Sequence, residues 1–266
     1  PSLGSDHPSG DHINASSSGT TSINDTPKRH LNFLNLFSGP YKRSNGLSDR
    51  IKQFGWNNVT DLDNDTSTGG GWADDLMNDS KYSLLLQQAK EGSFDSMMIA
   101  FPCSTFSIAR FFDAPDGHGD RGPEPIRDLD YPDGLPEKRL TSAQIKELRA
   151  TNRLLERTVD LAIAARLSSA NTTVIFENPA DRTTRGTPHF MEGIPHGSLF
   201  ATSQIKRFKQ SVGKVSEVRF AYCRFGGDSQ KYTTLLYTND AATVLDQLSG
   251  PDYQCNHPPR AHKTQI

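Results

Sequence analysis

The sequence predicts an α/β domain built on a doubly wound, mostly parallel sheet. Three observations predict it. Short apolar blocks, each the length of one buried strand, alternate with helical patterns along residues 31–240. Polar motifs follow those blocks directly, where open α/β sheets hold ligands and chemistry. The ordered part also opens with strand, glycine-bearing turn, helix and a strand ending in an acid, the start of a nucleotide-binding unit.

Composition sets the bounds. A chain of 266 residues suffices for one large domain or two small ones. Only 34% of it is hydrophobic, with 21 glycines and 16 prolines, so a compact core with long polar excursions is expected. Its 29 Lys and Arg against 31 Asp and Glu leave a net charge of -2. No global basic field draws in nucleic acid, so any such contact must be local. Cys103, Cys223 and Cys255 are far apart and odd in number, which implies no disulfide framework and fits an intracellular, reducing setting (nuclear, if the source is eukaryotic). No apolar run approaches the ~18 residues of a membrane span, so no membrane partner is expected. A start at Pro1 points to a segment of a longer polypeptide, and a monomer is expected.

Residues 1–30 are polar, with almost nothing apolar to offset their ordering entropy, and are expected to be a disordered tail. The first strand is Leu31 to Phe37, ending in Ser38-Gly39-Pro40. A helix follows from about Gly46 through Ile51 and Phe54, stopping at Gly55. The second strand lies around Val59-Thr60 and ends in Asp61-Leu62-Asp63. After Gly69-Gly70-Gly71 and Asp74-Asp75 comes a helix near Tyr82–Lys90 and then a strand over 95–100, ending at Phe101-Pro102-Cys103. Residues 111–140 read as loop, and a loop of that length inside a compact domain is usually functional. Thr141 and Gln144 form a capping box that opens a long helix with Leu148, Leu155, Val159, Ala162, Ile163 and Leu167 as its apolar stripe. Val174-Ile175-Phe176 is the next buried strand, delivering Glu177-Asn178-Pro179. A Gly/Pro/His loop, a Lys/Arg-bearing segment at 204–214, strands near 215–222 and 233–238, and a C-terminal tail over 241–266 complete the chain.

Cys103 sits between a proline and small polar residues at a strand end, where a thiol can be held in a cleft. The residues alone leave a nucleophile and a buried structural cysteine equally open, because only a thiolate attacks. A carboxylic acid at a second strand end, Glu177, favours chemistry. A thiolate that adds to an electron-poor ring pairs naturally with an acid that protonates or hydrogen-bonds the adjacent ring nitrogen.

At this point the residues resemble a known family. Pro102-Cys103-Ser104-Thr105-Phe106-Ser107 resembles the nucleophile motif of the DNA cytosine-5 methyltransferases, and Glu177-Asn178-Pro179 resembles their Glu-Asn-Val motif. Leu36-Phe37-Ser38-Gly39 is similar to their first S-adenosylmethionine motif, Asp61-Leu62-Asp63 to the acid-x-acid after the second strand, and Asp75-Leu76 to the third element. The resemblance covers roughly residues 31–180. It implies a class I, Rossmann-like methyltransferase fold, S-adenosyl-L-methionine as cofactor, and DNA as partner with RNA left open. It further implies that Phe37, Ser38 and Gly39 line the methionine moiety and that Pro102 borders the cofactor. Asp61 would bind the ribose hydroxyls, Leu62 cover the adenine face and Asp75 meet the adenine amino group. Cys103 would attack C6 of a flipped cytosine while Glu177 contacts its N3 and exocyclic amine.

The chain departs from that pattern in places. Pro40 to Asn45 interrupts the glycines of the first motif. In Phe225 to Tyr237, which resembles the family's Gln-x-Arg-x-Arg strand, Tyr232 and Thr234 occupy the arginine places. A replacement cation is therefore expected from Arg110 or Lys231, with Arg121 and Arg127 further candidates. Between Glu177 and that strand the chain leaves no room for a separate target-recognition domain. A similar pattern is found in methyltransferase-like modules of eukaryotic mobile-element polyproteins. Two other readings stand beside methyl transfer: a degenerate module that keeps the fold and binds nucleotide or nucleic acid, and a cysteine hydrolase using Cys103, for which no histidine occupies a comparable strand end. Cys255, His257 and His262 are metal-capable, but they are three in a Pro-rich setting where structural zinc takes four ligands; Cys223 is a possible fourth, and no metal is expected. The Lys206-Arg207-Lys209 cluster reads as a solvated face.

Overall fold

The structure, a computed structural model, describes residues 30–41, 46–108, 124–187, 190–193, 196–228, 231–257 and 262. The polar segment 1–29, Arg110, Arg121, His118 and His189 lie outside the described residues. Six strands form one sheet: β1 (Asn32–Leu36), β2 (Asn58–Leu62), β3 (Ser96–Ala100), β4 (Thr173–Pro179), β5 (Val215–Ala221) and β6 (Tyr232–Thr238). Their order is β2-β1-β3-β4-β6-β5. The first four run parallel, and β6 lies antiparallel between β4 and β5. The mostly parallel α/β sheet expected from the sequence is present, and it is compatible with a Rossmann-like fold.

Strand order reverses beside β1: the chain steps outward to β2 and then crosses back to β3. Parallel neighbours need crossover connections, and helices supply them. These are α1 (Leu47–Gln53), α2 (Asp79–Lys90) and α3 (Ser142–Ser168), followed by α4 (Ser203–Val212) before the antiparallel pair and the short α5 (Ala242–Leu245) after it. Alternation along each strand sorts the faces. Leu34, Leu36, Met97, Ile99, Val174, Phe176 and Leu236 share one core with α2, α3 and α4. Met98, Ile175, Val218, Leu235 and Tyr237 face the opposite way, against α5 and the turn after it. Asn35 also lies on that second side, donating to Ser48 Oγ of α1 at 3.2 Å, so helices cover both faces.

Three element ends differ from the sequence reading. Strand β4 runs on through Glu177, Asn178 and Pro179, because β6 continues to pair with it (Glu177 with Leu235, Asn178 with Thr234, Pro179 with Thr233). Leu167, read as part of the α3 stripe, points to solvent, while Leu148, Leu155, Val159 and Ala162 are buried. The segment expected as a tail from 241 forms helical turns as far as Tyr253, since Ala241, Ala242, Leu245 and Leu248 pack on the second face. The α3 capping box forms as read, with Thr141 Oγ1 accepting from Gln144 N–H at 3.3 Å and Gln144 Oε1 accepting from Thr141 N–H at 2.9 Å.

Among the described residues, no helix is long and apolar enough to cross a membrane. In the basic segment of α4, Arg207 pairs with Asp160 at 2.7 Å and Lys209 with Glu217 at 2.6 Å, so part of its charge is balanced locally.

Candidate active site

Two clefts open at the carboxyl ends of the parallel strands. The first lies where strand order reverses, between β1 and β3, the position at which open sheets take ligands. It is about 180 Å³ and is lined by Asn35, Phe37, Ser38, Tyr41, Asp61 and Ala100 among others. The second, about 210 Å³, is lined by Cys103, Ser107, Pro179, Arg182, Lys231 and Tyr232, with Ile108 and Ala180.

The turn between β1 and α1 shapes the first cleft. Phe37 has φ 61, a conformation rare for a side-chain-bearing residue, and Gly39 has φ 71. Two bonds hold that turn to β2: Ser38 N–H donates to Leu62 C=O at 3.1 Å, and Gly39 N–H donates to Asp63 Oδ2 at 2.8 Å. Asp63 Oδ1 also accepts from Asp65 N–H at 2.9 Å. Tyr41 closes the side, its hydroxyl accepting from Asp63 N–H at 3.0 Å and donating to Asp74 Oδ2 at 2.8 Å. Burial and the neighbouring Asp74 push that hydroxyl up to about 12, so it remains a donor at neutral pH.

Asp61 faces the cleft with one oxygen already engaged. Its Oδ1 accepts from Asn35 Nδ2 at 2.8 Å and from Ser48 Oγ, while Oδ2 has no partner among the described residues. The two other residues assigned to the nucleoside lie elsewhere. Leu62 is 2% exposed in the main core, because the last residue of β2 points toward α2 and α3. Asp75 closes its own loop, accepting from Met77 N–H at 2.7 Å and Asn64 Nδ2 at 3.1 Å, and does not line the cleft. Pro102 is half-buried and lines neither cleft.

Beyond β3 the chain turns tightly, with Phe106 and Ser107 N–H both donating to Cys103 C=O at 2.9 and 2.8 Å. The turn leaves Cys103 half-buried in the second cleft. Glu177 on the adjacent strand and Lys231 just before β6 meet at 3.6 Å. Both act on the thiol: burial pushes Cys103 up, Lys231 opposes that shift and Glu177 reinforces it. Cys103, Glu177 and Lys231 thus form one electrostatic group. Tyr232 and Thr234, at the two arginine places, are both buried, and only Tyr232 lines the cavity.

Three further residues shape this site: Asn178 and Arg182, which carried no assigned role in the sequence, and Arg127, which stood there as a candidate cation. Asn178 Nδ2 donates to Phe101 C=O at 2.8 Å, fixing the Cys103 turn to β4. Arg127, 1% exposed, donates to Thr105 Oγ1, Pro132 C=O and Asn152 Oδ1 at 3.2, 2.8 and 2.7 Å, and its guanidinium lies 4.2 Å from the Phe106 ring centre. It ties the 124–135 loop and α3 to the Cys103 turn and does not line the cavity, so it is not the replacement cation considered from sequence. Arg182 does line the cavity, and burial lowers the pKa of its guanidinium.

A run of ring contacts links the first cleft to the Cys103 turn. Phe37 packs edge-on against Phe101 at 5.4 Å, and Phe101 against Phe106 at 6.1 Å. Among the described residues, no histidine lines the Cys103 cavity. The arrangement offers a thiol with an acid and a cation beside it, next to a polar cleft sized for part of a nucleoside. Compared with known proteins, the chain matches no family model and no curated protein sequence.

Proposed function

We propose that this domain binds S-adenosyl-L-methionine in the cleft at β1 and β3 and transfers its methyl group to C5 of a cytosine in DNA held at Cys103. The observation that carries the proposal is the convergence of Cys103, Glu177 and Lys231 beside one cavity, one strand away from a separate cleft bordered by Asp61. In this reading the Cys103 thiolate adds to C6 and negative charge spreads over the ring and O2. Glu177 faces N3, and Lys231 supplies the cation that the absent arginines would have given. A bound S-adenosyl-L-methionine would supply the methyl group for C5 and leave as S-adenosylhomocysteine. Release of the C5 proton to solvent would then expel the thiolate and restore the ring.

A trapping experiment tests the chemistry. DNA carrying 5-fluorocytosine, incubated with cofactor, should give a denaturation-resistant complex with the wild-type chain and none with Cys103→Ser, because fluorine blocks the final elimination. Absence of the complex in a protein that still binds cofactor would defeat the transferase reading. The cofactor half is tested by calorimetry: S-adenosylmethionine should bind, and Asp61→Ala should weaken it by about 1–3 kcal/mol, the range for a hydrogen bond with a charged partner.

The observation favouring the degenerate-module reading is the burial of Cys103, which holds its thiol protonated against the pull of Lys231. On that reading cofactor binds and the trap fails. A cysteine hydrolase is disfavoured because nothing basic of the histidine type borders the thiol among the described residues.

A further inference from the structure

The end of the chain folds back against the outer wall of the Cys103 cavity. Cys223 lies in the turn after β5, and Cys255, His257 and His262 come from the C-terminal segment. Their ligand atoms all lie within 4.8 Å of one another. Cys255 Sγ is 3.7 Å from His257 Nδ1 and 3.2 Å from His262 Nε2, and the two imidazoles meet edge-to-face at 4.7 Å. With metal–sulfur bonds of about 2.3 Å and metal–nitrogen bonds of about 2.0 Å, a tetrahedron has edges of roughly 3.3 to 3.8 Å, so small inward shifts close the group on one ion.

We propose that Cys223, Cys255, His257 and His262 form a structural zinc site. Two thiolates and two neutral imidazoles balance the charge of Zn²⁺, and their mixed sulfur and nitrogen donors in tetrahedral array suit zinc above magnesium, calcium or manganese. Binding releases the two thiol protons to solvent. Four protein ligands leave no open position for water or substrate, so the ion is structural rather than catalytic. The two histidines are separated by four residues, within the gap common in such sites.

The surroundings favour a built site over a chance cluster. Arg224, next to the first ligand, donates to Asp252 C=O and Asn256 Oδ1, both at 2.6 Å, and so orients the segment that carries the other three. Phe225 stacks on Tyr253 at 5.8 Å with an interplanar angle of 17°. Cys255 N–H donates to Tyr232 Oη at 3.1 Å, and Tyr232 lines the Cys103 cavity. The ion would therefore staple the C-terminal segment to the turn after β5 and, through the Cys255–Tyr232 bond, support one wall of the thiol cavity. It does not depend on the methyl-transfer reading.

The full chain, purified under reducing conditions and assayed for metal by mass spectrometry, should carry one zinc. The double variant Cys255→Ser/His262→Asn should lose it, while Cys103→Ser, in the neighbouring cavity, should retain it. Should the double variant fold poorly, the wild-type chain loaded with Co²⁺ gives a second readout. Intense tetrahedral d–d bands with thiolate-to-cobalt charge transfer are expected. Three results would overturn the site: a reduced chain that takes up no added Zn²⁺, zinc content unchanged in the double variant, or the weak spectrum of octahedral cobalt.

Discussion

Glu177 and Lys231 act on the Cys103 thiol in opposite directions, and that opposition can be read in solution. Glu177→Gln removes a negative charge and should lower the thiol's pKa; Lys231→Gln removes the charge that stabilises the thiolate and should raise it. The pH dependence of Cys103 alkylation should therefore move to lower pH in the first variant and to higher pH in the second. Profiles that coincide with wild type would separate these side chains from the thiol. Residue-level expectation reached Cys103 and Glu177 because each follows an apolar run, and Lys231 because it stands beside the arginine places that Tyr232 and Thr234 occupy. It did not reach the bonds that Asp63, Asn178 and Arg127 make, whose partners lie in distant parts of the chain. A polar residue bonding to a remote backbone leaves no local pattern. For the same reason Asp61 read as wholly free for a ligand, whereas one of its oxygens is already held by Asn35 and Ser48.

At the scale of elements, the strands were legible from β-branched and apolar blocks, and α3 from its stripe and capping box. The lengths of β4 and of the C-terminal turns were not, because both are set by neighbours: β6 extends β4, and the second face of the sheet gathers Ala242, Leu245 and Leu248. Two element-level outcomes follow. Thr141→Ala removes the side-chain acceptor at the start of α3 and should lower stability by about 1 kcal/mol in urea unfolding. Arg127→Met should cost more, about 3 kcal/mol, because three acceptors lose a charged donor at once. It should also speed proteolysis within 124–135 ahead of global unfolding, since that loop is held to α3 through this guanidinium. Equal resistance in the variant would show that other contacts hold the loop.

At the scale of the molecule, the site is assembled from both halves of the chain. The β1 turn and the Cys103 turn come from the parallel half, and Lys231, Tyr232 and the C-terminal cluster from the antiparallel pair. Chelation of the proposed zinc should first expose residues 250–257 to protease, while α3 amides stay protected from hydrogen exchange, because only the wall at Tyr232 loses its staple. Loss of protection throughout α3 at the same time would mean that the ion supports the whole fold. The sequence showed the four residues as metal-capable but not as one group: they are spread over residues 223–262, and only the return of the C-terminal segment brings Cys223 to the others.

The ring contacts from Phe37 through Phe101 to Phe106 give the two clefts a thermodynamic obligation to each other. A ligand that settles against Phe37 touches the first ring of a run that reaches the Cys103 turn through Phe101 and Phe106. If filling the first cleft changes the affinity of the second by some factor, then filling the second changes the first by that same factor, whichever ligand arrives first. The domain would then keep an account of its own occupancy with no moving lid. Cofactor affinity measured with and without bound DNA, and DNA affinity measured with and without cofactor, should yield equal ratios different from one; ratios of one would make Phe101 a partition, and the clefts two independent rooms.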